Sequence, residues 1–174
     1  DIVGYVALPD NAKPAMSIVA AADYILSYKE GYASPFTTEE WKEKVEELFT
    51  SQKTFTIIKK TKKSEREVDL KPLVYAFEVV EVEGKPAFYI NVSTGSVDNI
   101  KPELLLSSIY EKLGLEYNES SIAIHKKDVY ALDEKTKKFI PLLDLGEVIY
   151  WFVQMLISVA CYMDNLYAKI YHPV

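Results

Sequence analysis

The chain has 174 residues and a net charge of −6, with a pI near 5.1. A chain of this length suits one domain, which can bury roughly 70% of the surface that its unfolded form exposes and therefore needs no disulfide to fold. The acidic composition argues against a general nucleic-acid binder but leaves room for a local basic site. The single cysteine, Cys161, excludes an intrachain disulfide and a cysteine metal cluster. Because no signal peptide opens the sequence, we expect a reducing, cytoplasmic setting.

The first thirty residues alternate between strand and helix patterns. Residues 1–9 predict a short strand, and Pro14 suits the first position of a helical turn over residues 16–22. Residues 22–29 then alternate with a period of two, which predicts a strand.

Residues 37–49 contain the clearest helix pattern of the chain. Thr37 is suited to the N-cap, and Glu40 completes a capping box with it. The apolar stripe of this helix consists of Trp41, Val45, Leu48 and Phe49. We expect this stripe to pack against a sheet.

The stretch 54–93 alternates like β-sheet. Phe88, Ile90 and Val92 fall on one face and Tyr89 on the other, which predicts a half-buried strand. A second helix is predicted over residues 102–113, followed by a strand over 121–132 and a short edge strand that contains Pro141. The order of these elements predicts an α+β fold: a ferredoxin-like antiparallel sheet with two helices on one face and an extended central hairpin, in a domain of residues 1–144.

Residues 145–174 form a separate apolar tail. Residues 148–163 carry no charge, and the apolar positions recur at the three- and four-residue spacing of a helix. A bilayer span needs roughly 20 apolar residues, so we expect no membrane span. Three interpretations stay open for the tail: a helix packed on the domain or on a second copy in a homodimer, contact with a membrane surface, and a poorly ordered terminus.

The concentrated positive charge of the chain lies in the sequence KKTKKSER at residues 59–66, which holds five cations and one anion. This loop joins two predicted strands, at residues 54–59 and 68–70. The candidate residues for binding RNA or a partner are Lys59, Lys60, Lys62, Lys63, Arg66 and Lys71. Exposed Tyr75 or Tyr89 would supply stacking platforms for single-stranded RNA. The other two interpretations are contact with a protein and a solvated hairpin whose lysines prevent edge-to-edge association.

No catalytic constellation is visible in the sequence. His125 lies in a predicted strand and His172 at a terminus, so no nucleophilic triad forms, and the ligands for a zinc or iron–sulfur site are missing. We therefore expect no catalytic residue, metal or cofactor in this chain. The segment Thr94, Gly95 and Ser96 ahead of the second helix is either a weak anion site or an ordinary loop.

Three spaced motifs together carry a family resemblance. They are AKPAMSIVAAADY (residues 12–24), TKKSEREVDLKP (61–72) and INVSTGSVDNIKPELLL (90–106). Over roughly residues 1–143 the chain resembles the bacterial radical-SAM-linked domain of unknown function, which stands alone or follows a cobalamin-binding radical SAM enzyme. The positions that match its pattern are Thr61, Lys62, Lys63, Arg66, Val68, Asp69, Lys71 and Pro72, and later Lys101, Pro102 and Glu103.

The resemblance implies an accessory domain that helps a radical SAM protein engage RNA or a ribosome-related substrate, because family members are often encoded near ribonuclease G and ribosomal-protein genes. Independently of the resemblance, Thr61, Asp69 and Pro72 are expected to shape the basic loop, Asp69 by pairing with Arg66 or Lys71. Two departures matter: Ser64 replaces the usual glycine, and the Phe-Ser-His-Leu-Asp motif of the family is missing. An enzymatic site that needs that motif would be incomplete here. The alternative function is a protein-interaction module that self-associates through the tail.

Overall fold

The computed structural model describes residues 6–8, 12–51, 53–60, 65–95 and 99–148. The helices and strands in these ranges are β1 (Val6–Ala7), α1 (Ala15–Ile18), β2 (Val19–Tyr28), α2 (Thr38–Ser51), β3 (Thr56–Lys60), β4 (Glu65–Asp69), β5 (Val74–Val82), β6 (Lys85–Ser93), α3 (Pro102–Lys112), β7 (Ile122–Leu132), β8 (Phe139–Pro141) and β9 (Glu147–Val148). The predicted apolar helix of the tail lies outside the described residues from residue 149 onward.

The chain divides into two compact units. The larger unit comprises Lys13–Pro141, and the smaller one combines Asp1–Ala12 with Leu142–Val174. In the smaller unit β1 pairs with β9 in an antiparallel arrangement. The predicted elements of the domain lie mainly in the larger unit.

The larger unit is a mixed α and β structure around an antiparallel five-stranded sheet. Its strands follow the order β5-β6-β2-β7-β8, and β3 and β4 form a separate two-stranded sheet. Both β5 and β8 are edge strands, so Pro141 lies in an edge strand as predicted. The prediction of an α+β fold is therefore confirmed.

Two helices pack on the same face of this sheet. The ring of Trp41 in α2 lies 5.0 Å from that of Phe88 in β6 and 5.3 Å from that of Tyr110 in α3. The Tyr110 hydroxyl is hydrogen-bonded to that of Tyr28 in β2. Trp41 and Phe88 are fully buried. These contacts place both helices over the side chains at even-numbered positions of β2 and β6.

The capping box predicted for α2 is confirmed. The backbone N–H of Thr37 donates to Glu40 Oε2 at 2.8 Å, and the N–H of Glu40 donates to Thr37 Oγ1 at 3.3 Å. The bond from the Thr37 backbone, followed by that from its hydroxyl, holds the pKa of Glu40 below its ordinary value. The predicted stripe is also confirmed, because Trp41, Val45 and Leu48 are buried.

The sheet curls strongly. Neighbouring strands lie about 4.8 Å apart, so the edge strands of a flat five-stranded sheet would be separated by about 19 Å. Yet the rings of Tyr75 in β5 and Phe139 in β8 are only 4.8 Å apart. The two edges therefore approach each other across the face opposite α2 and α3, and this face is concave.

Truncating the central tryptophan should destabilise the fold. We expect Trp41→Ala to lower the free energy of unfolding by about 3–5 kcal/mol, because a fully buried aromatic ring leaves a cavity between α2, α3 and the sheet. Urea denaturation followed by circular dichroism measures the change. The control Glu47→Ala, on the exposed side of α2, should stay within about 0.5 kcal/mol of the parent.

Stability should also fall at alkaline pH. Burial, followed by the hydrogen bond with Tyr28, raises the pKa of Tyr110, and burial raises the pKa of Tyr117 to about 12. Tyrosines of the unfolded chain ionise near pH 10, whereas these two stay protonated in the folded protein. The unfolded chain therefore binds fewer protons above that pH, and the free energy of unfolding decreases as the pH rises further.

Urea titrations at a series of pH values from neutral to strongly alkaline test this expectation. In Tyr110→Phe the free energy of unfolding should depend less steeply on pH. Full ionisation of the tyrosines near pH 10 with the native fold retained, measured by tyrosinate absorbance, would contradict it.

Candidate functional site

The basic segment belongs to a hairpin whose base is held in the core. Strands β3 and β4 pair antiparallel, with Lys59 opposite Arg66 and Lys60 opposite Glu65. At the base, Phe55 and Leu70 are almost fully buried, and the N–H of Leu70 donates to the carbonyl oxygen of Phe55 at 2.8 Å. The orientation of the base is therefore fixed by the core.

The hairpin base packs on the helix side of the sheet. The ring of Phe55 stacks on that of Phe49 in α2 at 5.2 Å. On the side of α3, Lys112 Nζ lies 5.0 Å from the centroid of the same Phe55 ring. The base of the hairpin thus contacts both helices.

Asp69 organises the end of the hairpin through backbone contacts. Its Oδ1 accepts hydrogen bonds from the N–H of Phe55 at 2.9 Å and of Lys71 at 3.0 Å. The Lys71 ammonium donates to the carbonyl oxygen of Phe49 at 3.1 Å. Pro72 follows within the 3₁₀ turn Lys71–Leu73. Asp69, Lys71 and Pro72 therefore meet where the hairpin joins β5.

The other five predicted binding residues precede Asp69 in the chain. Lys59, Lys60 and Arg66 occupy strand positions. Thr61, Lys62 and Lys63, which complete the predicted basic loop, lie outside the described residues.

The predicted anion segment already uses one of its backbone donors. The N–H of Thr94 donates to the carbonyl oxygen of Ala20 at 3.1 Å, so it is engaged within the fold. A Cβ at Gly95 would lie 3.3 Å from the carbonyl oxygen of Val19, which explains a glycine at this close approach of two backbones. Ser96 lies outside the described residues.

A second cluster, which we did not identify from the sequence, lies on the concave face. Asp23 in β2 is only 7% exposed. Its Oδ1 accepts a hydrogen bond from Asn91 Nδ2, and its Oδ2 accepts one from the Tyr130 hydroxyl at 2.6 Å. The Asn91 Oδ1 atom is buried and has no hydrogen-bond partner in the described structure. The cluster thus contains one carboxylate with neutral donors and one unsatisfied acceptor.

The register arranges further side chains around Asp23. One row across the sheet, from β5 to β7, consists of Ala76, Asn91, Asp23 and Asp128. The adjacent row consists of Glu78, Tyr89, Ile25 and His125. Neither row contains a lysine or an arginine, but the exposed Lys127 lies beside Asp128 at the register irregularity between the two rows. We call these two rows, together with Tyr75, Tyr130 and Phe139, the acidic sheet face.

The tyrosines of the acidic sheet face respond to the Asp23 charge. The hydrogen bond to Asp23 is the main cause that raises the pKa of Tyr130, and burial adds to it. Burial, followed by the hydrogen bond to Asp23, raises the pKa of Tyr89 as well. Both hydroxyls therefore stay protonated at neutral pH, and that of Tyr130 donates to the carboxylate. These two tyrosines are poor candidates for a nucleophile or a general base.

A groove lies along the edge of the sheet. It occupies about 610 Å³ between α2 and β5, with Val45, Phe49 and Phe77 among its lining residues and Lys42 and Lys71 among its charged ones. Within the ranges that the structure covers, no set of three histidine, cysteine, aspartate or glutamate residues is suited to a metal ion. None of the helices in those ranges has both the length and the apolar character of a transmembrane span.

The sequence carried a weak signal for the acidic sheet face. Asp23 interrupts an otherwise largely apolar strand. The predicted alternation places it on the strand face opposite to that of Tyr24, Leu26 and Tyr28. That pattern is equally consistent with a strand face that is exposed to solvent. Only the register, which brings Asn91 and Asp128 to either side of Asp23, reveals the cluster.

Comparison with known proteins places the chain in a family. Neither a curated protein nor a solved structure matches it. Residues 1–102 match the family described as uncharacterized protein conserved in bacteria (DUF2344). This span runs from β1 to the first residue of α3, so it includes the β3–β4 hairpin, Asp23 and Asn91, whereas β7 with Asp128 follows it. Because the match covers more than half of its residues, the chain belongs to the DUF2344 family of bacteria.

Proposed function

We propose that this chain is a non-catalytic accessory domain that helps a radical SAM protein engage RNA or a ribosome-related substrate, in the cytoplasm, through its basic hairpin. The radical SAM partner is inferred from the sequence resemblance described above. The observation that carries the RNA part is the hairpin itself: five cations within residues 59–66 follow directly from a base that the core holds in place. The fixed base limits the entropy that the adjoining strands β3 and β4 lose when they contact phosphates.

We also propose that the larger unit is a ferredoxin-like fold. The strand order β5-β6-β2-β7, with α2 between β2 and β5 and α3 between β6 and β7, supports this interpretation, since it corresponds to a β-α-β-β-α-β chain path. The β3–β4 hairpin is then an insertion between α2 and the second strand of that path. Strand β8 extends the sheet by one strand beyond it.

RNA binding through the hairpin should depend on charge. We expect the triple variant Lys62→Glu, Lys63→Glu, Arg66→Glu to bind a single-stranded RNA oligonucleotide at least about tenfold more weakly, because three phosphate contacts become repulsive. The slope of log affinity against log salt should become shallower by about 2, since each phosphate contact on a single strand contributes about 0.7. Fluorescence anisotropy over a range of salt concentrations measures both quantities.

The matched control reverses three lysines in another turn, between β7 and β8: Lys135→Glu, Lys137→Glu and Lys138→Glu. These side chains are exposed, and the net charge changes by the same amount. Equal loss of RNA binding in both triple variants would contradict a specific role for the hairpin and leave only the total charge of the protein as the cause.

The second candidate function is a protein-interaction module. The aromatic residues of the acidic sheet face favour it, because tyrosine and phenylalanine are enriched at protein interfaces. Self-association through the apolar tail is the other form of this hypothesis, and residues 149–174 of that tail lie outside the described residues.

Self-association through the tail predicts a change in mass. If the tail forms the interface, the full chain should be a dimer. Deletion of residues 149–174 should then yield a monomer, because it removes a segment in which about three quarters of the residues are apolar. Light scattering after size-exclusion chromatography measures this. A full chain that is already monomeric at high protein concentration would exclude the tail as an interface.

A further inference from the structure

We propose that the acidic sheet face binds an arginine or lysine side chain presented by a basic peptide segment of a partner protein. This inference does not depend on RNA binding by the hairpin, whose base packs on the other side of the sheet. For the protein-interaction hypothesis it assigns one surface, the acidic sheet face, and one type of partner, a basic peptide segment.

The first reason is an excess of hydrogen-bond acceptors. Asp23 offers two carboxylate oxygens with about four acceptor sites, and its neighbour Asn91 leaves Oδ1 without a partner. Turning the Asn91 amide over would not satisfy this atom, because Oδ1 would then face the carboxylate in place of Nδ2. A buried acceptor without a donor costs free energy, which a ligand that brings several N–H groups would recover. Ammonium and guanidinium groups bring three and five such donors.

The second reason is the negative charge of three carboxylates, those of Asp23, Asp128 and Glu78. The register sets Asp128 directly opposite Asp23, and Glu78 lies one row further along at the exposed edge. Like charges at directly opposite positions destabilise a sheet. Within the part of the chain that the structure describes, neither aspartate forms an ion pair, and the ion pair found there joins Lys13 to Glu134. A cation between the two carboxylates would relieve their repulsion, whereas a phosphate would increase it.

The third reason is the aromatic wall beside the carboxylates. The rings of Tyr75 and Phe139 are in contact, and the ring of Phe139 lies 6.4 Å from that of Tyr130. Tyr75 remains 45% exposed. Aromatic faces attract ammonium and guanidinium groups, and this attraction strengthens where water is excluded. An arginine or lysine side chain could thus contact the rings with its stem and the carboxylates with its charged end.

Together these features favour a cationic side chain over the other ligands of a sheet face. A nucleic acid would meet Asp128 and Glu78, and a purely apolar segment would leave the Asn91 oxygen unsatisfied. Only a ligand that combines an apolar stem, positive charge and several donors matches all three observations. A basic peptide segment presents such side chains in series.

The test uses the full chain and a fluorescein-labelled hexa-arginine peptide in anisotropy titrations at about 0.15 M salt, where distant charges are largely screened. We expect Asp128→Asn to weaken binding about tenfold, the effect of losing one charge-assisted hydrogen bond. Tyr75→Ala should weaken it about threefold through the lost ring face. Asp23→Asn should weaken it at least as much as Asp128→Asn, provided that circular dichroism shows the native fold.

Two matched controls separate the proposed site from general attraction to an acidic protein. Glu43→Gln removes one charge from the exposed side of α2, and Tyr32→Ala removes a ring that is exposed by 41%, similar to Tyr75. Both variants should bind the peptide with an affinity within about twofold of that of the parent, well below the tenfold change expected for Asp128→Asn. Equal weakening in Glu43→Gln and Asp128→Asn, or no binding of the peptide up to about 1 mM, would overturn the proposal.

A last comparison keeps this proposal separate from RNA binding. The Lys62→Glu, Lys63→Glu, Arg66→Glu variant should retain the hexa-arginine affinity of the parent or exceed it. If Asp128→Asn strengthens RNA binding and leaves the hexa-arginine affinity unchanged, with each ligand titrated separately, the acidic sheet face is not a cation site.

Discussion

The contact of Trp41 with Phe88 and Tyr110 determines how the rest of the larger unit is arranged. It joins one helix to the sheet and to the other helix, so both helices occupy the same face. Once that face is filled, the side chains at alternate positions of β2 and β6 must lie on the opposite face. The position of Asp23, Asn91 and Tyr89 therefore follows from the burial of an indole ring on the other side of the sheet.

The curl of the sheet turns those opposite-face residues into a cluster. In a flat sheet Tyr75 and Phe139 would lie at opposite edges, whereas here their rings are in contact. On this concave face Asp23 is only 7% exposed, and its carboxylate accepts hydrogen bonds from a tyrosine hydroxyl and an amide. Burial strengthens its interactions with donors, since a carboxylate in a less polar environment gains more from each hydrogen bond.

Charge is distributed unevenly along the larger unit. The basic sequence at residues 59–66 follows a hairpin base that contacts α2 and α3, while the acidic residues lie on the other side of the sheet. A net charge of −6 conceals this separation, because it sums over the whole chain. The two proposals, RNA binding at the hairpin and binding of a basic peptide segment at the acidic sheet face, therefore concern different strands of the larger unit.

The amino-acid sequence by itself determined the local features. The capping box at Thr37 and Glu40, the stripe that begins at Trp41 and the α+β class were all predicted correctly, because capping and amphipathic spacing depend on neighbouring residues. Strand boundaries shifted by a few residues, as in the hairpin, where β4 begins at Glu65 rather than Val68. The tertiary structure alone decided the acidic sheet face, since Asp23, Asn91 and Asp128 meet only through strand register. Register and curl arise from packing between distant parts of the chain, so no local pattern encodes them.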